Sequence, residues 1–268
     1  MITMTRFGGS GEDLLVLGPS LGTSVETLWG RAAALLAADV EVIGWDLPGH
    51  GRSPATGTPF TIADLAKAIT GLARGWASGG RRIWYAGVSL GGAVGFQLAT
   101  SVTPFAGVAA IASAPRIGTS DAWHERAALV RRAGTAALVA GAAERWFAPG
   151  FTGREPGTAA ALLRALTDTD PESYALACEA LAAFDLRGSE PVVPLAVLPG
   201  ELDVVVPPSA VADLHPAVLA GCGHLPPAEQ PAATTDALRH AMHLPRRSRP
   251  FEALQQRVPV PLDDRTAL

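Results

Sequence analysis

Apolar positions fall into two spacings along this chain. Short unbroken runs at 14–17, 40–44, 83–87, 107–112, 195–198 and 217–220 are bounded by Gly, Pro or Asp, as strands buried on both faces should be. Longer stretches at 62–76, 90–99 and 232–243 read as helices, with apolar residues on a helical spacing. Strands alternating with helices predict a mostly parallel central sheet with helices on both faces. Residues 1–7 fit an antiparallel edge strand ahead of the first parallel one.

The alternation stops between about 119 and 186. That stretch reads as consecutive helices at 122–132, 135–146, 157–166 and 171–183, the last opened by Asp170 and Pro171. A helical block set between two strands of a parallel sheet predicts an inserted lid over 119–186, with the α/β core divided into 1–118 and 187–243. Residues 244–268 are rich in Pro and Arg and keep neither period, so a surface wrap or a disordered tail is expected.

Composition narrows the function classes. Hydrophobic residues make up 48% of the 268 and charged residues 17%, which excludes a disordered chain. A formal net charge of −4 leaves no basic face for nucleic acid. Cys178 and Cys222 are too few for a disulfide framework and form no C-x-x-C pair. Residues 1–11 lack the basic segment and apolar run of a secretory signal, and no run of about eighteen apolar residues is present to cross a membrane. The expectation is a cytoplasmic protein acting on a small molecule, with no nucleic-acid or membrane partner.

Chemistry enters at Gly87-Val88-Ser89-Leu90-Gly91, a G-x-S-x-G between the apolar run 83–86 and the helical run 90–99. Strand, sharp turn and helix are the setting of a nucleophile elbow, in which neighbouring glycines clear space around a strained serine. A serine hydroxyl needs a base and an acid to orient that base, and in this setting the chain order is Ser, acid, His. His224, in Gly223-His224-Leu225-Pro226 after the final apolar run, fits the base, and Asp203, past the run 195–198, fits the acid. Glu201 competes for that role, and Asp121 is a further alternative inside the helical block. His50, in Pro48-Gly49-His50-Gly51, reads as a packing residue near the site. His124-Glu125 has no second histidine four residues on, so no metalloprotease site is expected; neither a metal nor a cofactor is anticipated. Oxyanion donors are expected from the backbone N–H of Leu90 and from the loop 18–23, where Leu21 leads and Ser20 remains open because Pro19 has no N–H.

With these residues placed, the chain resembles the α/β-hydrolase fold over about residues 5–243. Asp46-Leu47-Pro48-Gly49-His50-Gly51-Arg52-Ser53 resembles the family's D-x-P-G-H-G-x-S turn, and His224-Leu225-Pro226-Pro227-Ala228-Glu229-Gln230-Pro231 resembles its H-x-P-x-x-E-x-P. Within that family the chain looks most like the 3-oxoadipate enol-lactonases. That likeness rests on Ser20-Leu21-Gly22-Thr23, Pro115-Arg116-Ile117-Gly118 with Trp123, Glu144-Arg145-Trp146-Phe147, 169–175 with Cys178, and Phe184-Asp185-Leu186-Arg187. The stretch from Gly22 to Trp29 departs from the pattern by one added residue. The resemblance implies a cofactor-free serine hydrolase that opens a carboxylated enol-lactone through an acyl-enzyme. It implies cations for the substrate carboxylate, with Arg116 and Arg145 as candidates, and aromatic contacts from Trp123 and Trp146. Rival readings are a carboxylesterase, a C–C bond hydrolase, a perhydrolase, or a hydrolase-fold protein that binds without turnover. Ser89 disfavours the dehalogenase and epoxide hydrolase branches, which need aspartate there.

Overall fold

The computed structural model describes residues 2–77 and 80–243; the tail 244–268 lies outside them. Six strands form one sheet among the described residues: β1 (Thr3–Gly8), β2 (Asp13–Gly18), β3 (Glu41–Asp46), β4 (Arg82–Val88), β5 (Phe105–Ile111) and β6 (Leu195–Leu198). Their order is β1-β3-β2-β4-β5-β6. β1 pairs antiparallel with β3 at the edge, and every other neighbouring pair is parallel. Ten helices accompany the strands in the described residues: α1 (Val25–Leu36), α2 (Ile62–Trp76), α3 (Leu90–Ala99), α4 (Ser120–Ala133), α5 (Val139–Trp146), α6 (Phe151–Arg154), α7 (Pro156–Asp168), α8 (Pro171–Ala182), α9 (Pro226–Glu229) and α10 (Pro231–Ala241).

The central strands form where the sequence is apolar and uninterrupted. All six residues of β2 are buried, as are six of seven in β4, and each large aliphatic side chain so buried contributes about 1.5–3 kcal/mol. α1 with α9 and α10 forms one helical group, and α2 with α3 another. α1 is not among the helices expected from sequence, although Val25, Leu28, Trp29, Ala32, Ala33 and Leu36 fall on one helical stripe with Gly30 off that face. Ser24 caps it, its Oγ accepting from Thr27 N–H at 3.0 Å.

Two expectations change in detail. The helix expected at 135–146 is a 3₁₀ turn, Thr135–Leu138, running into α5. The strand expected at 217–220 is reduced to one bridge, Gly200 with Leu219. Its backbone still follows the end of β6, with Ala217 N–H donating to Val197 O at 3.0 Å and Leu219 N–H to Pro199 O at 2.8 Å. Pro199 and Pro216 lack the N–H groups that would lengthen the ladder.

Between β5 and β6 the chain makes α4 to α8. α4 packs along α8, where Arg131 reaches Glu172 at 2.7 Å and Glu179 at 2.5 Å. α7 packs against α5, α6 and α1. The block therefore rests on the sheet assembly through α1 and faces the carboxyl ends of the strands, where an open α/β sheet leaves a crevice.

Candidate active site

β4 ends at Val88 and α3 begins at Leu90, leaving Ser89 to make the turn at φ 53°, ψ −112°. A non-glycine residue held there costs about 1–3 kcal/mol, so its surroundings must enforce it. Ser89 N–H donates to Ile111 O at 2.9 Å, and Ser89 O accepts from Ala93 N–H and from Ser113 Oγ, both at 2.8 Å. Gly91 N–H donates to Pro19 O at 2.9 Å, tying the turn to the loop after β2. A Cβ on Gly87 would collide with the Gly91 carbonyl, so glycine is required there.

The loop after β6 presents Asp203. Its Oδ1 accepts from Val205 N–H at 2.7 Å and Val206 N–H at 3.1 Å, and its Oδ2 meets His224 Nδ1 at 2.8 Å. Both residues are buried. An ionised carboxylate only accepts, so Nδ1 is the ring nitrogen that donates to it, and in the neutral imidazole Nε2 is the one left with a lone pair. Glu201 is elsewhere: it is exposed and its Oε2 accepts from Gly221 N–H at 2.9 Å. Asp121 lies exposed in the first turn of α4. Of the three acids considered from sequence, Asp203 alone is bonded to His224.

The loop 18–23 separates its two candidate donors. Ser20 N–H is engaged with Thr23 Oγ1 at 3.2 Å, and Thr23 Oγ1 donates in turn to Ser20 O at 2.9 Å. Leu21 N–H donates to no acceptor among the described residues. Leu90, as the first residue of α3, likewise has no carbonyl one turn back to receive its N–H.

A narrow cleft is lined by Ser89, His224, Ser20 and Leu21 from the core, Val205 beside Asp203, and Trp123, Arg126, Arg145, Trp146 and Tyr174 from the helical block. Its free volume is about 20 Å³, room for about one water. The structure thus brings Ser89, His224, Leu21, Trp123, Trp146 and Arg145 to one place, with Asp203 behind the imidazole. It does not bring Arg116 there: that guanidinium pairs with Asp185 at 2.9 Å outside the lining residues. Arg187 first, and Arg116 after it, hold the Asp185 carboxyl well below the usual carboxylate range. Arg116, expected as a carboxylate contact, therefore stands outside the cleft lining in this structure. β5 ends before Arg116, and Asp185, which follows α8 at the other end of the helical block, takes its guanidinium; Leu186 N–H donating to Pro115 O at 2.8 Å brings those two ends together.

Arg126 is the residue sequence reasoning passed over. It sits three residues after Trp123 on α4, its guanidinium 5.2 Å from the Trp123 ring centroid, and i,i+3 spacing on one helix face was the available signal. Neither Arg126 nor Arg145 makes an ion pair among the described residues; Arg145 Nε donates to Gly141 O at 3.0 Å. Burial, then the neighbouring Arg126 charge, push Arg145 below its ordinary value. Two cations so placed favour an anion between them.

Two supporting residues complete the surroundings. His50 is fully buried, its Nδ1 bonded to Pro48 O at 2.8 Å and its ring stacked on Tyr174; burial pushes it down to about 4. Glu229 is buried against the histidine loop, and burial pushes its carboxyl up. Among the described residues no three His, Cys, Asp or Glu side chains are grouped to hold a metal ion, and no helix is long and apolar enough to cross a membrane.

The strained serine turn, the histidine–acid pair and the sheet order define a hydrolase of the α/β type, and the chain belongs to the alpha/beta hydrolase family, whose model matches residues 15–237. It is 31% identical over 253 residues to 3-oxoadipate enol-lactonase 2 of Acinetobacter baylyi, covering 90% of this chain and 92% of that one. The crystal structure of an enol-lactonase from Burkholderia xenovorans superposes with a TM-score of 0.83 at 29% identity, over 90% of this chain and 96% of the other. A thermophilic esterase from Thermogutta terrifontis shares the fold, with a TM-score of 0.80 at 23% identity over 90% and 93% of the two chains.

Proposed function

We propose that this protein is a serine hydrolase that opens a carboxylated enol-lactone, converting 3-oxoadipate enol-lactone to 3-oxoadipate. The observation that carries the reading is the cleft itself: a strained serine and an acid-oriented imidazole share it with two guanidinium groups that make no ion pair among the described residues. The two enol-lactonase relatives support the same substrate class.

In this mechanism Ser89 Oγ attacks the lactone carbonyl while His224 Nε2 takes its proton, and Asp203 holds the imidazole tautomer and stabilises the imidazolium. The N–H groups of Leu90 and Leu21 receive the developing oxyanion. Ring opening expels an enolate, which takes the proton back from His224. Water deprotonated by His224 then attacks the acyl-enzyme and releases the product. Arg126 and Arg145 hold the substrate's carboxylate arm, and Trp123, Trp146 and Tyr174 wall the ring.

Residues 119–186 act as the lid over a core of 1–118 and 187–243. The free volume of about 20 Å³ supports this: a lactone enters only when side chains of the block move aside, and their return excludes water. The test is a substrate panel on the purified protein, comparing carboxylated enol-lactones with neutral p-nitrophenyl esters and following labelling of the serine by a fluorophosphonate. The expected result is rapid labelling and a kcat/KM at least about tenfold higher for the carboxylated lactone, as one charged contact supplies. Preference for neutral esters would move the protein to the carboxylesterases; absence of turnover and of labelling would leave it a binding protein.

A further inference from the structure

Glu229 takes no part in the steps above, yet its buried carboxylate carries three backbone hydrogen bonds beside the imidazole. Oε2 accepts from Ala148 N–H at 2.7 Å and from Gly223 N–H at 3.1 Å, and Oε1 accepts from Leu225 N–H at 3.0 Å. The amide between those two, that of His224, donates to Trp146 O at 2.9 Å. Three consecutive amides around the histidine are therefore fixed. Two of the four bonds cross to residues 146 and 148, the stretch that leaves α5 and forms the cleft wall with Arg145. Gly223 permits the approach, since a Cβ there would lie 2.6 Å from Ala148 N and 2.9 Å from Trp146 O.

Asp203 grips the ring at Nδ1 alone, which sets tautomer and tilt but leaves the imidazole to travel with its backbone. We propose that Glu229 is a positioning residue that locks the His224 backbone and the 145–148 wall into one register, so that base and substrate-binding surface are aligned together. This rests on the reading of Ser89, His224 and Asp203 as the catalytic set. A carboxylate suits the task, because its two oxygens offer about four lone-pair sites where an amide offers one oxygen. Misplacement of a reacting group by about 1 Å costs about a hundredfold in rate.

The experiment uses Glu229→Gln in the full chain. With its oxygen at the Oε2 position, the amide nitrogen faces Leu225 N–H, donor against donor. The expected result is a kcat on a neutral p-nitrophenyl ester lowered about ten- to a hundredfold with KM within about twofold, and fluorophosphonate labelling slowed in parallel, in protein still folded at the assay temperature. A residue that merely held the fold together would lower the melting temperature and leave kcat per folded molecule unchanged, and that outcome overturns the inference. If the variant does not fold, hydrogen exchange on the wild type decides. Amides 148, 223 and 225 share one acceptor and should open at a single rate; separate rates overturn the inference. A wild type that neither hydrolyses esters nor takes the phosphonate overturns the catalytic reading and the positioning role with it, whereas normal wild-type activity beside an unaffected Gln variant overturns the positioning role alone.

Discussion

The loops at the carboxyl ends of β4 and β6 and the helical block of α4 to α8 both face the cleft, but they hold their side chains by different means. In the loops the placing is done by backbone: Ser89 by bonds to Ile111, Ala93 and Ser113, and Asp203 by the amides of Val205 and Val206. In the block, Arg126, Arg145 and Trp146 project from helix faces whose position depends on how α4, α5 and α8 pack. The difference separates two functions. Under the proposed mechanism, the groups that exchange protons are those held by backbone hydrogen bonds, and the groups that grip the substrate are those carried on packed helices. Loop substitutions should therefore reduce kcat, and block substitutions should change KM and selectivity.

The largest effect is expected at the loops. Ser89→Ala or His224→Ala should lower kcat about 10³- to 10⁶-fold, and Asp203→Asn about 10⁴-fold because the amide supports the wrong imidazole tautomer. Circular dichroism should show the fold intact in each. Near-normal turnover by any of the three would end the division of labour just described, and damage from Glu201→Gln in place of Asp203→Asn would reassign the acid.

That contrast also explains what the sequence made legible. Backbone-held groups need special residues around them, so the turn at 87–91, the loop at 199–203 and the His224 motif stand out as glycines and prolines at fixed offsets. Asp203 follows Pro199-Gly200, and the reading of it over Glu201 agrees with the 2.8 Å bond to His224. Strand positions were legible for the same reason, since burial on both faces leaves a run no other element tolerates. α1 carries a comparable signal, a stripe of Val25, Leu28, Trp29, Ala32, Ala33 and Leu36 behind the Ser24 cap, and was passed over. Arg126 and Arg116 were indistinguishable as letters: both are arginines in a chain whose 21 basic residues include a single lysine, Lys67. What separates them is tertiary. Asp185 captures Arg116, and the α4 face turns Arg126 into the cleft.

Where the two regions meet, the comparison can be tested through pH. His50 belongs to the turn after β3 but stacks on Tyr174 of α8. Burial holds it at about 4, against about 6.5 in an unfolded chain. Between those values the unfolded chain binds a proton that the folded one does not, so stability rises with pH across this window and the contribution is complete above it. From pH 7 to pH 4.5 the loss should be about 2–3 kcal/mol by urea titration. His50→Asn keeps a donor for Pro48 O without titrating, and should remove most of that slope. An unchanged slope would mean that the seam between turn and block opens to water in solution.

The smallest effect sharpens the comparison most, because it opposes two arginines. Arg126→Met should lower kcat/KM for a carboxylated lactone about ten- to a hundredfold, mostly through KM, and leave a neutral ester within about twofold. Methionine keeps the length and the apolar stem over Trp123 while removing the charge, so the loss reports the guanidinium alone. Arg116→Met should leave both substrates within about twofold, because its half-exposed pair with Asp185 is screened and Arg187 remains on the same carboxylate at 2.6 Å. The decisive quantity is the ratio of the two substrates' kcat/KM values in each variant, which cancels any general loss of folded enzyme. A collapse of that ratio in Arg116→Met, with none in Arg126→Met, would place the carboxylate subsite at the end of β5 instead of on α4. The substrate would then be gripped from the rigid core, and the assignment of binding to the helical block would fail.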